Sequence, residues 1–208
     1  MNALESVESF LGLANPLELV AVLLGLANIV LLVFRSVWNY PFGIVMVLLY
    51  FFVFSEAKLY SDALLQIFFL VVQLYGWWHW VRNKAETGAI VVETLPVRAL
   101  LLIAAASLAA IFGWGALMHR FTDASYPWWD GSVAILSVVA QILLARRYIE
   151  NWAIWILVDL ISIGLYAAKG LWPTLGLYVV FLIISVLGLI EWRRVRRRAE
   201  RPQAPAPA

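Results

Sequence analysis

Cysteine is absent from the chain, histidine occurs twice, and charged residues are scarce, and each shortage removes a class of protein. Without thiols, neither a disulfide framework nor a thiolate metal site can form. His79 and His119 have no partner at metal-ligand spacing, so neither a metal nor another cofactor is expected. A nucleophile would need a base within hydrogen-bonding reach. Both histidines lie at the ends of apolar segments, so the chain does not read as an enzyme. The pattern G-x-x-x-x-G-K-[ST] is also missing, which excludes an ATP-driven engine of that type. Charged residues make up 13% of the 208 positions and hydrophobic ones 64%, whereas soluble domains run near a quarter and a half. The solvent is therefore lipid. A formal charge of +2 does not indicate nucleic acid, because the basic residues sit in short loops and a tail beside apolar segments.

A spanning helix needs about 20 mainly apolar residues, and seven segments qualify: 17–34, 37–54, 59–81, 97–118, 129–145, 152–168 and 172–190. The breaks between them are short, so neighbouring spans are antiparallel. Twelve of the fifteen basic residues fall on one side: Arg35, Arg82, Lys84, Arg98, Arg146, Arg147 and the six arginines of the tail. Only Lys58, Arg120 and Lys169 fall on the other. The positive-inside rule then predicts a cytoplasmic carboxyl terminus and an external amino terminus. Residues 1–15, with Glu5 and Glu8 and no basic residue, read as a retained extracytoplasmic segment and not as a cleaved signal. Residues 193–208 read as a disordered basic tail.

Sliding the chain on itself by 112 positions lays Arg35 over Arg147 and needs no gap for the next 48 residues. Asn39 then meets Asn151, Phe69 meets Phe181, Gly76 meets Gly188, Trp80 meets Trp192 and Arg82 meets Arg194. Matches of Asn, Gly, Trp and Arg are informative in a sequence this apolar. The repeat pairs spans two and three with six and seven and, by extension, span one with five, leaving span four alone. Two like-oriented triplets (16–81 and 119–192) joined by a loop and linker helix (82–118) follow the 3+1+3 parallel-repeat plan of SWEET-type sugar carriers. A site between the triplets is the consequence.

Ionisable or amide groups at mid-membrane cost energy and ask for a function. Asp159 is the clear case. On a helix of 3.6 residues per turn, Asn151, Trp155, Asp159, Ser162 and Tyr166 share one face of span six. Asp62, Gln66, Gln73, Trp77 and Trp80 share a face of span three, and Asn39, Met46 and Tyr50 recur on span two. Amides can read hydroxyls, indoles can stack a flat ring, and one carboxylate can balance a positive charge. Trp38, Trp78, Trp114, Trp128, Trp129, Trp172 and Trp192 lie near span ends and fit the interfacial belt.

The segments LYSDALLQIFFLVVQLYGWWHW (59–80), WWDGS (128–132) and ENWAIWILVDLISIGLYAAKGL (150–171) resemble the Pnu family of vitamin carriers over about 35–194. The resemblance implies a SWEET-like fold and facilitated transport without ATP or ion coupling. It further implies trapping by a cytoplasmic kinase and a tendency to form homo-oligomers. Its binding motifs fall on Gln73, Trp77, Trp78 and Trp80 and on Asn151, Trp152 and Trp155. One departure concerns Gln73, which stands where the pattern for nicotinamide riboside has another Trp. The expected substrate-binding set is therefore Asn39, Gln66, Gln73, Trp77, Trp80, Asn151, Trp152, Trp155, Asp159 and Ser162. A flat cation suits Asp159 beside indoles, which ranks nicotinamide riboside before thiamine, and thiamine before neutral riboflavin. The expected partners are thus a vitamin-like small molecule and the lipid of a cell inner membrane. The rival class is a seven-helix receptor that binds without moving its ligand. A retinal protein is excluded because Lys169 precedes the last span.

Overall fold

Long runs of Leu, Val, Ile and Ala in lipid must satisfy their backbone internally, which leaves helix as their structure. In the computed structural model, which describes residues 16–56, 60–121, 126–168 and 172–199, they form seven α-helices. These are α1 (Pro16–Val33), α2 (Asn39–Glu56), α3 (Tyr60–Thr87), α4 (Val97–Phe121), α5 (Pro127–Ala145), α6 (Glu150–Ala168) and α7 (Trp172–Ala199). Segments Val97–Phe121, Pro127–Ala145 and Leu175–Ala199 are by length and composition alone apolar enough to cross a membrane. Shorter apolar stretches occupy Leu23–Val33 and Asn39–Phe52. The expected extracytoplasmic segment 1–15, together with Lys58, Lys169 and the end of the tail, lies outside the described residues.

Two helices outrun their expected ends. α3 continues to Thr87 through what reads as a polar break, and α7 continues to Ala199 through what reads as a disordered tail. Arginine, alanine, lysine and glutamate are good helix formers, and pairs Arg82–Glu86 and Glu191–Arg194 reinforce each extension. Each helix has 28 residues and spans about 42 Å, well beyond a hydrocarbon core of about 30 Å.

The sequence repeat is also a repeat of local geometry. α1 and α5 both end in an arginine with left-handed backbone, Arg35 (φ 55°) and Arg147 (φ 65°). In the first turn Arg35 N–H bonds Leu32 O (2.9 Å) and Ser36 N–H bonds Leu31 O (2.9 Å). In the second, Arg147 N–H bonds Leu144 O (2.8 Å) and Tyr148 N–H bonds Leu143 O (3.0 Å). Both are Schellman turns. The matching asparagines then stitch each turn, with Asn39 Nδ2 donating to Ser36 O and Asn151 Nδ2 to Tyr148 O, both at 2.6 Å.

Helices α1, α2, α3, α5, α6 and α7 pack in that cyclic order, α7 closing against α1, so that six helices form a ring. α4 stands outside it against α5, largely exposed. Trp128 packs on Gly115 of α4, and Trp129 packs on Gly164 of α6 while donating to Ile161 O at 2.9 Å. These two indoles, expected at the interfacial belt, thus also serve helix packing.

The core gathers at one end of the ring, where Leu32, Val33, Tyr40, Trp80, Ile90, Val92, Leu144, Ile149, Trp152 and Trp192 form a plug. Repeat mates meet the same neighbours within it. Tyr40 is edge-on to Trp80 at 5.3 Å, and Trp152 is edge-on to Trp192 at 5.7 Å. Trp80 and Trp192 touch at 5.9 Å. Gly76 leaves room for the Tyr40 ring and Gly188 for the Trp152 ring, since a Cβ on either would sit under 3 Å from ring carbons.

Gly188→Ala is expected to destabilise the detergent-solubilised protein by the 1–3 kcal/mol, roughly, of an overpacked core. Gly113→Ala on α4, where a methyl meets nothing within 4 Å, is expected to leave the thermal midpoint unchanged or slightly higher. Melting curves followed by tryptophan fluorescence compare the two. Equal midpoints would show that Trp152 does not depend on the bare backbone at Gly188.

Candidate functional site

Above the plug, inside the ring, is a cavity of about 260 Å³ lined by all six ring helices and by no residue of α4. Sites for drug-sized ligands run from about 300 Å³ upward, so the occupant is small. Leu32, Tyr40, Leu144 and Trp152 belong both to the plug and to the cavity wall. The plug is thus the floor of the site.

The wall obeys the same 112-residue register. Gly25 and Ser137, Ile29 and Gln141, Leu32 and Leu144, Tyr40 and Trp152, Met46 and Val158, Val47 and Asp159, Phe69 and Phe181, and Gln73 and Ser185 are eight repeat pairs of which both members line the cavity. Asn28, Asn39, Trp155 and Tyr178 complete it. The outline is two-fold while the chemistry is not. Against Asp159, Gln141 and Ser137 of the second triplet stand Val47, Ile29 and Gly25 of the first.

The second triplet supplies charge and indole. Asp159 is buried and accepts a 2.9 Å bond from Ser185 Oγ, which holds the carboxylate between α6 and α7. One turn before it on the same face is Trp155. Among the described residues no Lys, Arg or His lines the cavity and Asp159 is the one acid, so its field favours cations. The first triplet supplies amides. Asn28 Nδ2 donates to Asn39 O at 2.6 Å, tying α1 to α2. At Gly43, a Cβ would collide with the carboxamides of both Asn28 and Gln73, so these amides converge over bare backbone. The repeat mate of Gly43 is Trp155. An amide patch on one side therefore faces an indole on the other.

Of the ten expected site residues, Asn39, Gln73, Trp152, Trp155 and Asp159 line the cavity. Trp77 does not: it is 37% exposed on the outer surface of α3, in a shallow groove with Leu74, Trp78, Val81 and Arg82. The buried seam of α3 runs through Gln73, Gly76 and Trp80, and at 100° per residue Trp77 lies roughly 70° off its centre. Trp80 is fully buried in the plug and donates to Leu144 O at 3.3 Å. Asn151 is fully buried in the first turn of α6, bonded back to the α5–α6 turn, and Ser162 is fully buried and does not line the cavity. Gln66 lies two turns from Gln73, half-buried, and does not reach the cavity. The side chains of Asp62 and Tyr166 lie outside the described residues.

Sequence reasoning missed Asn28, Ser137, Gln141, Tyr178 and Ser185. The signal for Ser137 and Gln141 was available, because extending the repeat into spans one and five sets them over Gly25 and Ile29. Asn28 is the lone amide of α1 and its one polar residue beyond Glu18 of the first turn, which is itself a flag in a membrane span.

This geometry can be set beside known proteins. Residues 15–194 match the family described as nicotinamide mononucleotide transporter. The nicotinamide riboside transporter PnuC of Escherichia coli is 30% identical over 193 residues, covering 80% of this chain and 81% of that protein. The riboflavin/roseoflavin transporter RibM of Streptomyces davaonensis is 31% identical over 173 residues, covering 81% and 80%. A crystal structure of the vitamin B3 transporter PnuC matches with a TM-score of 0.70 at 32% identity, covering 95% of this chain and 94% of that one. These relatives are named as transporters and not as enzymes. The family match over residues 15–194 and a structural match covering 95% of the chain make it a multi-pass membrane protein of the nicotinamide mononucleotide transporter family.

Proposed function

We propose that the protein carries nicotinamide riboside into the cell by facilitated diffusion, alternating access to its central cavity between the two sides of the inner membrane. The observation that carries this reading is the cavity between the triplets, with Asp159 held beside Trp155 and no compensating cation among the described residues of its wall. A pyridinium ring would stack on the indole and balance the carboxylate, a contact that strengthens once water is excluded. The converging amides of Asn28 and Gln73 would read ribose hydroxyls. Of the expected residues outside the cavity, Trp80, Asn151 and Ser162 act through packing, the first two beneath the floor and the third within α6. Trapping by cytoplasmic phosphorylation would make uptake net inward, since the chain carries no ATP motif.

The shared turns and reciprocal contacts of the two triplets support a SWEET-like 3+1+3 parallel repeat, in which one triplet rocks against the other. The plug end carries Arg82, Lys84, Arg98, Arg146 and the arginines of α7, which supports its placement at the cytoplasm with the amino terminus outside. A second reading, riboflavin, draws on the likeness to RibM and on the uncharged amides of the wall. Cargo charge separates the two.

Purified protein in liposomes is expected to take up labelled nicotinamide riboside, with thiamine competing weakly and riboflavin more weakly still. Faster uptake of riboflavin would replace the first reading by the second. Counterflow of preloaded vitamin is expected too, and binding without counterflow would make the protein a receptor. Asp159→Asn is expected to weaken nicotinamide riboside binding at least about tenfold, about 1.4 kcal/mol, while leaving riboflavin binding unchanged. Calorimetry that finds equal affinity for the cation removes Asp159 from the site. Trp155→Ala is expected to cost about tenfold as well, whereas Trp77→Ala, on the outer surface, leaves affinity as it is. The reverse order would relocate the site to the groove on α3.

A further inference from the structure

The linker from α3 to α4 passes beneath the plug and is fastened to both triplets. It leaves α3 through Gly88 (φ 74°), and Asn83 Oδ1 accepts the Val91 N–H at 3.0 Å. Ile90 and Val92 then turn into the plug, 5% and 9% exposed, against the tryptophans that close it. The two left-handed arginines, which are repeat mates, both reach for this linker. Arg35 Nη1 donates to Ile90 O at 3.3 Å, and the Arg147 guanidinium pairs with the Glu93 carboxylate.

The two grips are unequal. On the α5–α6 turn, the ion pair is joined by two backbone bonds, Glu93 N–H to Arg147 O at 3.0 Å and Ile149 N–H to Glu93 O at 2.9 Å. These form the one isolated β-bridge among the described residues, Glu93 with Tyr148. On the α1–α2 turn there is a single side-chain bond, and a long one. Left-handed backbone in a non-glycine residue is costly and persists where the surroundings hold it. At Arg147 those surroundings include the linker, whose main chain at Glu93 bonds the Arg147 carbonyl and accepts the Ile149 N–H two residues on.

Both arginines are matched by the repeat, yet the linker exists once, so it breaks the symmetry of the plug end. It is covalently continuous with α3 of the first triplet and bonded to the α5–α6 turn of the second. Any separation of the triplets at this end must stretch it, detach it from Arg147, or uncoil it at Gly88. We infer that the α3–α4 linker is a strap that holds the plug end shut, with Glu93 and Arg147 as its fastening and Arg35 as a weaker guide. Opening on that side then requires the strap to lift or pay out, and Glu93 and Arg147 act as positioning residues for the floor of the cavity without touching cargo. This rests on the proposed transport only for which membrane face the strap serves.

The lack of cysteine makes the strap directly testable. Ser137→Cys places a reporter in the cavity wall, and its labelling by a membrane-impermeant maleimide is followed from each face of a sealed vesicle. Ala89→Cys, on the exposed linker, identifies the plug face. Adding Glu93→Gln to the reporter is expected to raise labelling from the plug face several-fold and to leave labelling from the opposite face the same or lower. An unchanged rate from the plug face, or an equal rise from both faces, would overturn the strap, the second outcome meaning general loosening. This readout needs no cargo, so it stands or falls apart from the nicotinamide riboside reading. As a second measurement, Glu93→Cys with Tyr148→Cys in an otherwise unaltered chain ties the strap covalently. Oxidation is expected to abolish counterflow of nicotinamide riboside and reduction to restore it in the same sample. Counterflow that persists at the same rate in the oxidised protein would overturn the strap.

Discussion

The structure depends on two hydrogen bonds that cross between the triplets at the plug. Trp80 Nε1 donates to Leu144 O at 3.3 Å, and Trp192 Nε1 donates to Leu32 O at 3.4 Å. Each donor and each acceptor is the repeat mate of the other. Those carbonyls are accessible for a local reason: Leu32 and Leu144 lie near the ends of α1 and α5, where the Schellman turns leave helical carbonyls without their usual i+4 partner. Each receives the turn N–H of Arg35 or Arg147 and, on its second lone pair, an indole from the opposite side. A buried indole N–H without a partner would be costly in this medium. The left-handed turn thus makes the acceptor, and the opposite tryptophan uses it.

From this follows the shape of the cavity. Because the same turn, the same glycine notch and the same crossing bond occur twice, the wall above the plug is drawn twice, and most lining positions come in repeat pairs. The two copies thus keep one outline while differing in chemistry. Val47 against Asp159, Ile29 against Gln141 and Gly43 against Trp155 place charge and indole on one side and amides over bare backbone on the other. On the proposed reading, such a site would hold an asymmetric cation in one orientation, because its charged end has one carboxylate to meet.

Much of this was legible in the residues. Apolar runs between short breaks marked the helices, and the 112-residue register foretold that Trp80 and Trp192, or Gly76 and Gly188, would occupy equivalent places. Helical periodicity also put Trp155 and Asp159 on one face, and both line the cavity. What periodicity lacks is the direction of the ring's interior. An arc containing Gln73, Trp77 and Trp80 is compatible with several inward directions, and the packing of Gly76 on Tyr40 selects one that leaves Trp77 outside. Nor does periodicity separate a residue that faces a cavity from one that faces a neighbouring helix. Trp80 and Asn151 look like binding residues on a wheel, and they are bonded to backbone instead. The ends of α3 and α7 were misjudged because charge was read as a stop, whereas arginine beyond the lipid boundary continues a helix readily.

On the proposed alternating-access reading, the closing of the plug end has the energetics of a switch. Two neutral hydrogen bonds contribute on the order of 1 kcal/mol each, comparable with the few kcal/mol that separate a major state from a minor one populated at the per cent level. A network of buried ion pairs across the same boundary would have been harder to open, since parting such a pair strands a buried charge. One such pair joins the linker to the second triplet: Glu93 is 43% exposed but Arg147 only 5%, so parting them leaves the guanidinium buried and adds to the cost of opening this end. Apolar rings fill the space between the crossing bonds without fixing it directionally. On the proposed carrier reading, cargo above the floor would bias the equilibrium through Tyr40 and Trp152, the residues that belong to wall and plug alike.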